Sequence, residues 1–85
     1  MDLNQRVVQV SRKLLRRGVK PLKLNKGTEL SDPAIWITES IYIQIGIDYI
    51  VIFNCKLTGL STYNCKPYID DIMNKLRLAI NENNY

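Results

Sequence analysis

The sequence contains no histidine, only two cysteines, one tryptophan, and no apolar run long enough to span a membrane. Without histidine the chain lacks the commonest general base and metal ligand. Cys55 and Cys65 are too few for a disulfide framework, and without histidine they cannot complete a structural zinc site. The four glycines are isolated, so no phosphate-binding loop is present. These absences predict a protein with no metal, no cofactor, no membrane association and no catalytic activity.

Acidic residues are scarce in the first third of the chain, where most basic residues lie. Residues 1–28 carry a net charge of +7 and residues 29–85 a net charge of −3, within an overall charge of +4. Such an asymmetry is typical of a protein that contacts a nucleic acid or another acidic surface.

The composition predicts one folded domain. The charged fraction of 24% and apolar fraction of 46% are ordinary for a globular protein, and 85 residues suffice for one modest core. We expect a compact domain over residues 1–81 and a frayed, asparagine-rich tail over residues 82–85. The N-terminus lacks a signal-peptide pattern and cysteines are few, so the expected location is the cytoplasm.

Two amphipathic helices are predicted, one at each end of the domain. The first spans about residues 3–17, because Asp2 is a good N-cap, Gly18 a good terminator, and apolar residues recur at helical spacing between them. The second spans about residues 67–81, since Pro67 favours a helix start and Asp70 and Asp71 suit its first turn.

Four short runs between the helices are rich in β-branched and aromatic residues and predict strands at residues 34–38, 41–45, 49–54 and 60–64. Their short connections predict antiparallel neighbours. Pro21 limits residues 19–24 to an edge strand or an extended linker, and residues 25–33 read as a loop. The predicted fold is α+β, in the order α-β-β-β-β-α, with both helices packed on one face of the sheet.

Strand alternation assigns side chains to the two faces of this sheet. A hairpin tip at residues 39–40 would pair Trp36 with Ile43 and direct both toward the helices. The opposite face would then carry a contiguous apolar group, the predicted sheet-face interface: Ile35, Ile37, Tyr42, Val51 and Phe53. This face could be an ordinary half-exposed sheet, stack nucleic-acid bases, or pack against a protein, including a second copy as a homodimer. Alternatively, residues 19–33 could fold back and cover it.

The basic residues form a predicted contact patch along the first helix and beyond its end: Arg6, Arg12, Lys13, Arg16, Arg17, Lys20, Lys23 and Lys26. Like charges four residues apart in a helix cost about 0.2–0.5 kcal/mol each, so folding alone does not favour this arrangement. The alternative is a solvated helix surface with no partner.

We expect a non-catalytic interaction protein that binds a larger protein or nucleoprotein as an inhibitor or accessory factor. Phage or mobile-element anti-defence proteins, such as anti-CRISPRs, are one candidate class. The alternative is a small basic nucleic-acid-binding module that uses the first helix.

Overall fold

A computed structural model describes residues 2–56 and 59–83 and shows a small α+β domain. A five-stranded antiparallel sheet lies between two helices in sequence, so the predicted fold class is confirmed. Neither helix of the described residues is long and apolar enough to cross a membrane. The elements in chain order are α1 (Leu3–Arg16), β1 (Lys23–Asn25), β2 (Ala34–Trp36), β3 (Ile41–Ile45), β4 (Ile50–Lys56), β5 (Gly59–Cys65) and α2 (Ile69–Glu82).

Local hydrogen bonds fix both ends of α1 where the sequence predicts them. At the start, the Gln5 amide donates to the Asp2 carboxylate at 2.8 Å, and the Asp2 amide donates to the Gln5 side chain at 3.0 Å. At the end, Gly18 adopts a left-handed φ of 83°, and the Val19 amide donates to the Leu14 carbonyl at 2.9 Å. The helix therefore ends at a glycine that can adopt this conformation without strain.

The sheet is a simple meander in which each strand pairs with its neighbours in sequence. It contains one strand more than predicted, because residues 23–25 pair with β2 and form an edge. The segment predicted as edge strand or linker is therefore an edge strand at its C-terminal end. Its three residues are too few to produce a clear alternation of apolar and polar positions in the sequence.

The core lies between the helices and one face of the sheet, called here the inner face. Isoleucines of the central strands are fully buried there, including Ile43, Ile45 and Ile52. Leu14 of α1 and Leu76 of α2 pack into the same cluster. Both helices thus cover one face of the sheet, as predicted, and hydrophobic burial on that side supplies most of the driving force for folding.

The connection between β2 and β3 is wider than the predicted two-residue tip. The Thr38 hydroxyl accepts hydrogen bonds from the amides of Ser40 and Ile41 at 3.2 and 3.1 Å, and the Ile37 amide donates to the Ile41 carbonyl at 2.9 Å. Consequently Trp36 pairs with Tyr42.

A shift of one residue moves every side chain of a strand to the other face of the sheet. Ile35 pairs with Ile43 on the inner face and is 0% exposed, while Ile37 also packs against the core. The prediction that Ile35 and Ile37 face outward is therefore wrong. The predicted register between β3 and β4 is confirmed, with Ile43 opposite Ile52 and Tyr42 opposite Phe53.

Polar side chains join the C-terminal end of α2 to β4 and β5. The side-chain amide of the buried Asn54 donates to the Ala79 carbonyl and to the Asn83 side chain, both at 3.1 Å. Glu82 accepts hydrogen bonds from Lys56, Ser61 and Tyr63. The prediction of a frayed tail from residue 82 is thus wrong for Glu82 and Asn83, and residues 84–85 lie outside the described residues.

We predict that Glu82 makes stability depend on pH in the acid range. The Lys56 ammonium, with the Tyr63 and Ser61 hydroxyls, lowers the pKa of Glu82 from its ordinary 4.5 to about 2. Because the folded state has the lower pKa, the Glu82 contribution is complete above pH 4.5 and is lost as the pH falls toward 2.

Urea denaturation followed by circular dichroism checks this expectation. The free energy of unfolding of the wild type should fall more steeply across this range than that of Glu82→Gln. The control Glu39→Gln, which removes an exposed loop carboxylate, should retain the wild-type slope. An unchanged slope in Glu82→Gln would contradict the assignment.

Candidate functional site

Three aromatic side chains form a row across the sheet face that the helices leave open, called here the outer face. Strand register places Trp36, Tyr42 and Phe53 side by side on three adjacent strands. The ring centroids of Trp36 and Tyr42 are 4.5 Å apart, and those of Tyr42 and Phe53 are 4.9 Å apart. We call these three residues the aromatic row. Lys23 and Thr62 flank it at its two ends.

The rings stack on one another. Tyr42 and Phe53 are nearly parallel at 14°, and Trp36 is tilted by 32° from Tyr42. The centroid spacings match the separation of neighbouring strands, about 4.8 Å, so each ring turns a face toward the ring on the next strand. The Lys23 ammonium lies 5.1 Å from the Trp36 ring centroid and covers the end of the row. Neighbouring rings of the row therefore face one another, and Lys23 lies over the Trp36 ring at its end.

Polar and aliphatic side chains surround the aromatic row. Gln44 and Val51 are half-buried beside it, whereas Asn64 and Leu60 are exposed. Within the described strands, Lys23 is the only charged residue on the outer face. Burial, together with the neighbouring Cys55, raises the pKa of Tyr42, so its hydroxyl is protonated at neutral pH and can donate a hydrogen bond.

No described segment covers the outer face. The loop at residues 26–33 is tied to the helical side of the sheet, where the Gly27 amide donates to the Asn4 side chain of α1 at 3.0 Å. Residues 23–25 extend the sheet instead of folding over it. At the other end of the loop, the Gln44 side chain donates to the Asp32 carbonyl at 3.4 Å, so the loop reaches the border of the outer face beside Gln44.

Three residues of the predicted sheet-face interface lie on the outer face: Tyr42, Val51 and Phe53. Ile35 and Ile37 do not, for the register reason given above, and Trp36 replaces them. The signal that could have identified Trp36 is Thr38, because a threonine at the start of a tight connection often accepts backbone hydrogen bonds and widens the turn. Whether the face is an interface remains a prediction.

The fold divides the predicted basic patch among separate surfaces. The Arg6 guanidinium donates to the Gly46 carbonyl at 2.6 Å and braces the β3–β4 hairpin against α1. Arg17 forms an exposed ion pair with Asp70 at 2.7 Å. Lys23 lies on the outer face, whereas Lys20 and Lys26 are exposed in connecting segments.

Three basic residues remain together on the exposed surface of α1: Arg12, Lys13 and Arg16. None of them forms an ion pair with any residue in the described ranges. We call this group the cationic stripe. It lies on the helical side of the domain, opposite the aromatic row, so the two surfaces cannot contact one flat partner at the same time.

Acidic and cysteine side chains are dispersed over the described part of the chain. No group of three or more acidic or cysteine side chains comes together to hold a metal within residues 2–56 and 59–83. Cys55 and Cys65 are free thiols on opposite faces of the sheet. Burial, with the nearby Asp71 carboxylate, raises the pKa of Cys65 to about 11, so this thiol is protonated and a poor nucleophile.

We predict that the aromatic row contributes less to folding than the inner face does. Phe53→Ala should lower the free energy of unfolding by about 1–2 kcal/mol, from a half-buried ring and one stacking contact. Ile43→Ala, at a fully buried position, should cost about 2–5 kcal/mol. Urea denaturation of both variants measures the difference. Equal losses would show that the row is part of the core.

Comparison with known protein families, with curated proteins and with solved structures finds no match for this chain. A function must therefore be inferred from the chemistry of its surfaces. The aromatic row and the cationic stripe are the two surfaces whose composition folding does not explain.

Proposed function

We propose that this chain is a non-catalytic interaction protein that binds a larger protein, alone or within a nucleoprotein, through the outer face of its sheet. It acts as an inhibitor or accessory factor by occupying a surface of that partner. The observation that carries the proposal is the aromatic row: three rings stacked on one another on a sheet face that no described element covers.

Ring geometry favours a protein partner over nucleic acid at this face. A sheet that binds single strands stacks bases on the faces of its aromatic rings and neutralises phosphates with nearby cations. Here Tyr42 lies between two neighbouring rings, and the Trp36 end of the row is covered by Lys23. One cation is too few to follow a phosphate backbone.

The composition of the outer face suits a protein interface. Trp and Tyr are enriched among residues whose truncation weakens protein binding most, and Trp36 and Tyr42 lie next to each other in the row. Gln44, Thr62 and Asn64 form a polar rim that could exclude water from the contact. Because the stacked rings are already ordered, binding would immobilise few side chains and lose little conformational entropy.

Blocking a partner's surface requires no reaction, which is consistent with the scarcity of catalytic groups described above. Anti-defence proteins of phages and mobile elements, such as anti-CRISPRs, act in this manner, and we retain that class as one candidate. Two free thiols favour a reducing compartment, and we place the protein in the cytoplasm.

A second candidate function is nucleic-acid binding through the cationic stripe. Arg12, Lys13 and Arg16 are exposed on one helix without an ion pair among the described residues, although acidic residues four positions away would have relieved their repulsion. Three cations match a weak, salt-sensitive contact with phosphates. This contact would involve the side of the domain opposite the aromatic row.

Affinity capture from an extract of the native host tests the proposal. The wild type should retain a specific protein. Phe53→Asp should weaken the complex by about 30-fold or more, because it would bury a carboxylate without a partner at the centre of the proposed interface. Leu30→Asp is the matched control: it also replaces a large apolar residue by aspartate, but at a loop position that is 98% exposed. It should retain the partner.

The charge-reversal variant Arg12→Glu/Arg16→Glu separates the two candidates. Under the first proposal it retains the captured protein, and raising the salt concentration changes the yield little. If instead this variant loses binding while folded Phe53→Asp retains it, and nucleic acid elutes with rising salt, the second candidate is correct and the first is wrong.

A further inference from the structure

The sheet has two edges, and they differ in how well they are protected from pairing with another strand. An open edge presents unpaired amide and carbonyl groups, which natural proteins guard with short strands, charges or proline. The β1 edge has all three protections: it is three residues long, it carries Lys23, and Pro21 lies just before it. The β5 edge has seven residues, none of them charged and none of them proline.

The alternation of hydrogen bonds along β4 shows which backbone groups of β5 have no partner strand. The Gly46 amide donates to the Tyr49 carbonyl and the Cys55 amide to the Ser40 carbonyl, so odd-numbered residues of β4 bond to β3. Alternation in an antiparallel ladder then directs the even-numbered residues of β4 toward their β5 partners, residues 59, 61, 63 and 65. The backbone groups that point away from the sheet belong to Leu60, Thr62 and Asn64.

These outward groups are accessible. All three residues are exposed, and their backbone amides and carbonyls make no hydrogen bond to any described residue. A strand with three regularly spaced residues of this kind is a template for one further antiparallel strand.

We propose that the β5 edge pairs with the β5 edge of a second copy of this chain, around a twofold axis through Thr62. Each Thr62 then lies opposite Thr62 of the second copy, and each Leu60 lies opposite Asn64 of the second copy. These are the residues with outward backbone groups, so the register joins three hydrogen-bonded pairs and yields about six hydrogen bonds. The two five-stranded sheets become one sheet of ten strands.

Side-chain chemistry favours a second copy as the occupant. In this twofold register only residue 62 lies opposite its own copy, so a charge at that position would meet a like charge. Strand β5 carries no charged residue, whereas β1 carries Lys23, which would repel Lys23 of a second copy. Threonine opposite threonine is also a favourable cross-strand pair.

Helix α2 supplies a second, independent indication. Asp71, Lys75, Leu78 and Glu82 recur at helical spacing and form one stripe. Asp71 accepts from the Lys66 amide at 2.7 Å and Glu82 accepts from Ser61 at 2.8 Å, so this stripe runs along β5. Leu78 lies on it and is 53% exposed.

The proposed pairing gives this exposed leucine a partner. Contacts between Glu82 and the middle of β5 place the last turns of α2 close to the level of Thr62. The twofold axis would therefore bring Leu78 toward Leu78 of the second copy and cover an apolar side chain that the monomer leaves in solvent.

The dimer would also double the aromatic row. Phe53 pairs with Thr62, so the Thr62 pair at the axis continues the row of one copy into the row of the other. Dimerisation does not depend on the proposed function, but it would present a partner with two adjoining copies of the outer face.

Sedimentation equilibrium and amide hydrogen exchange test the proposal. The wild type should show twice the 9.9 kDa chain mass as concentration rises, and the amides of Leu60, Thr62 and Asn64 should become protected over the same range. Thr62→Lys opposes two like charges at the axis and should abolish the dimer, with the fold unchanged by circular dichroism. Asn25→Lys, which adds the same charge to the exposed β1 edge, should leave the dimer intact.

Three results would overturn the proposal. The first is a wild type that remains monomeric at all concentrations, with these three amides unprotected. The second is a dimer that survives both Thr62→Lys and Tyr42→Lys. The third is a dimer that is lost in Tyr42→Lys but not in Thr62→Lys, which would place the contact on the outer face.

Discussion

The composition of both the inner and the outer face of the sheet depends on the turn between β2 and β3. The Thr38 hydroxyl accepts hydrogen bonds from two backbone amides and widens the connection. As a result, Trp36 pairs with Tyr42. A register one residue different would place Trp36 among the core isoleucines and expose Ile35. One threonine side chain thus helps to decide which residues build the core and which form the open face.

The domain is stabilised almost entirely from its helical side. Apolar side chains of α1 and α2 pack on the inner face, and the Asn54 and Glu82 contacts fasten the end of α2 to β4 and β5. On the outer face the described contacts are the ring contacts of the aromatic row, Lys23 over Trp36, and the hydrogen bond from Gln44 to the Asp32 carbonyl. Because little of the fold depends on that face, its composition is free to serve a partner.

Features that are encoded locally could be predicted from the sequence. Asp2 marks the start of α1 with its capping side chain and Gly18 marks the end with its left-handed backbone, while alternating isoleucines fix the pairing of β3 with β4. Hydropathy places Trp36 on the inner face, because it carries no information about the hydrogen bonds of the Thr38 side chain. Counting charges could not predict that Arg6, Arg17 and Lys23 contact different partners, because the fold brings those partners together.

Nuclear Overhauser contacts from Trp36 measure the β2–β3 register most directly. Since the chain has a single tryptophan, its indole signals are unambiguous. The account predicts contacts between the indole and Tyr42 ring protons, together with contacts between Ile35 and Ile43. Contacts from the indole to Ile43 methyl groups, with Ile35 against Tyr42, would contradict it and remove the aromatic row.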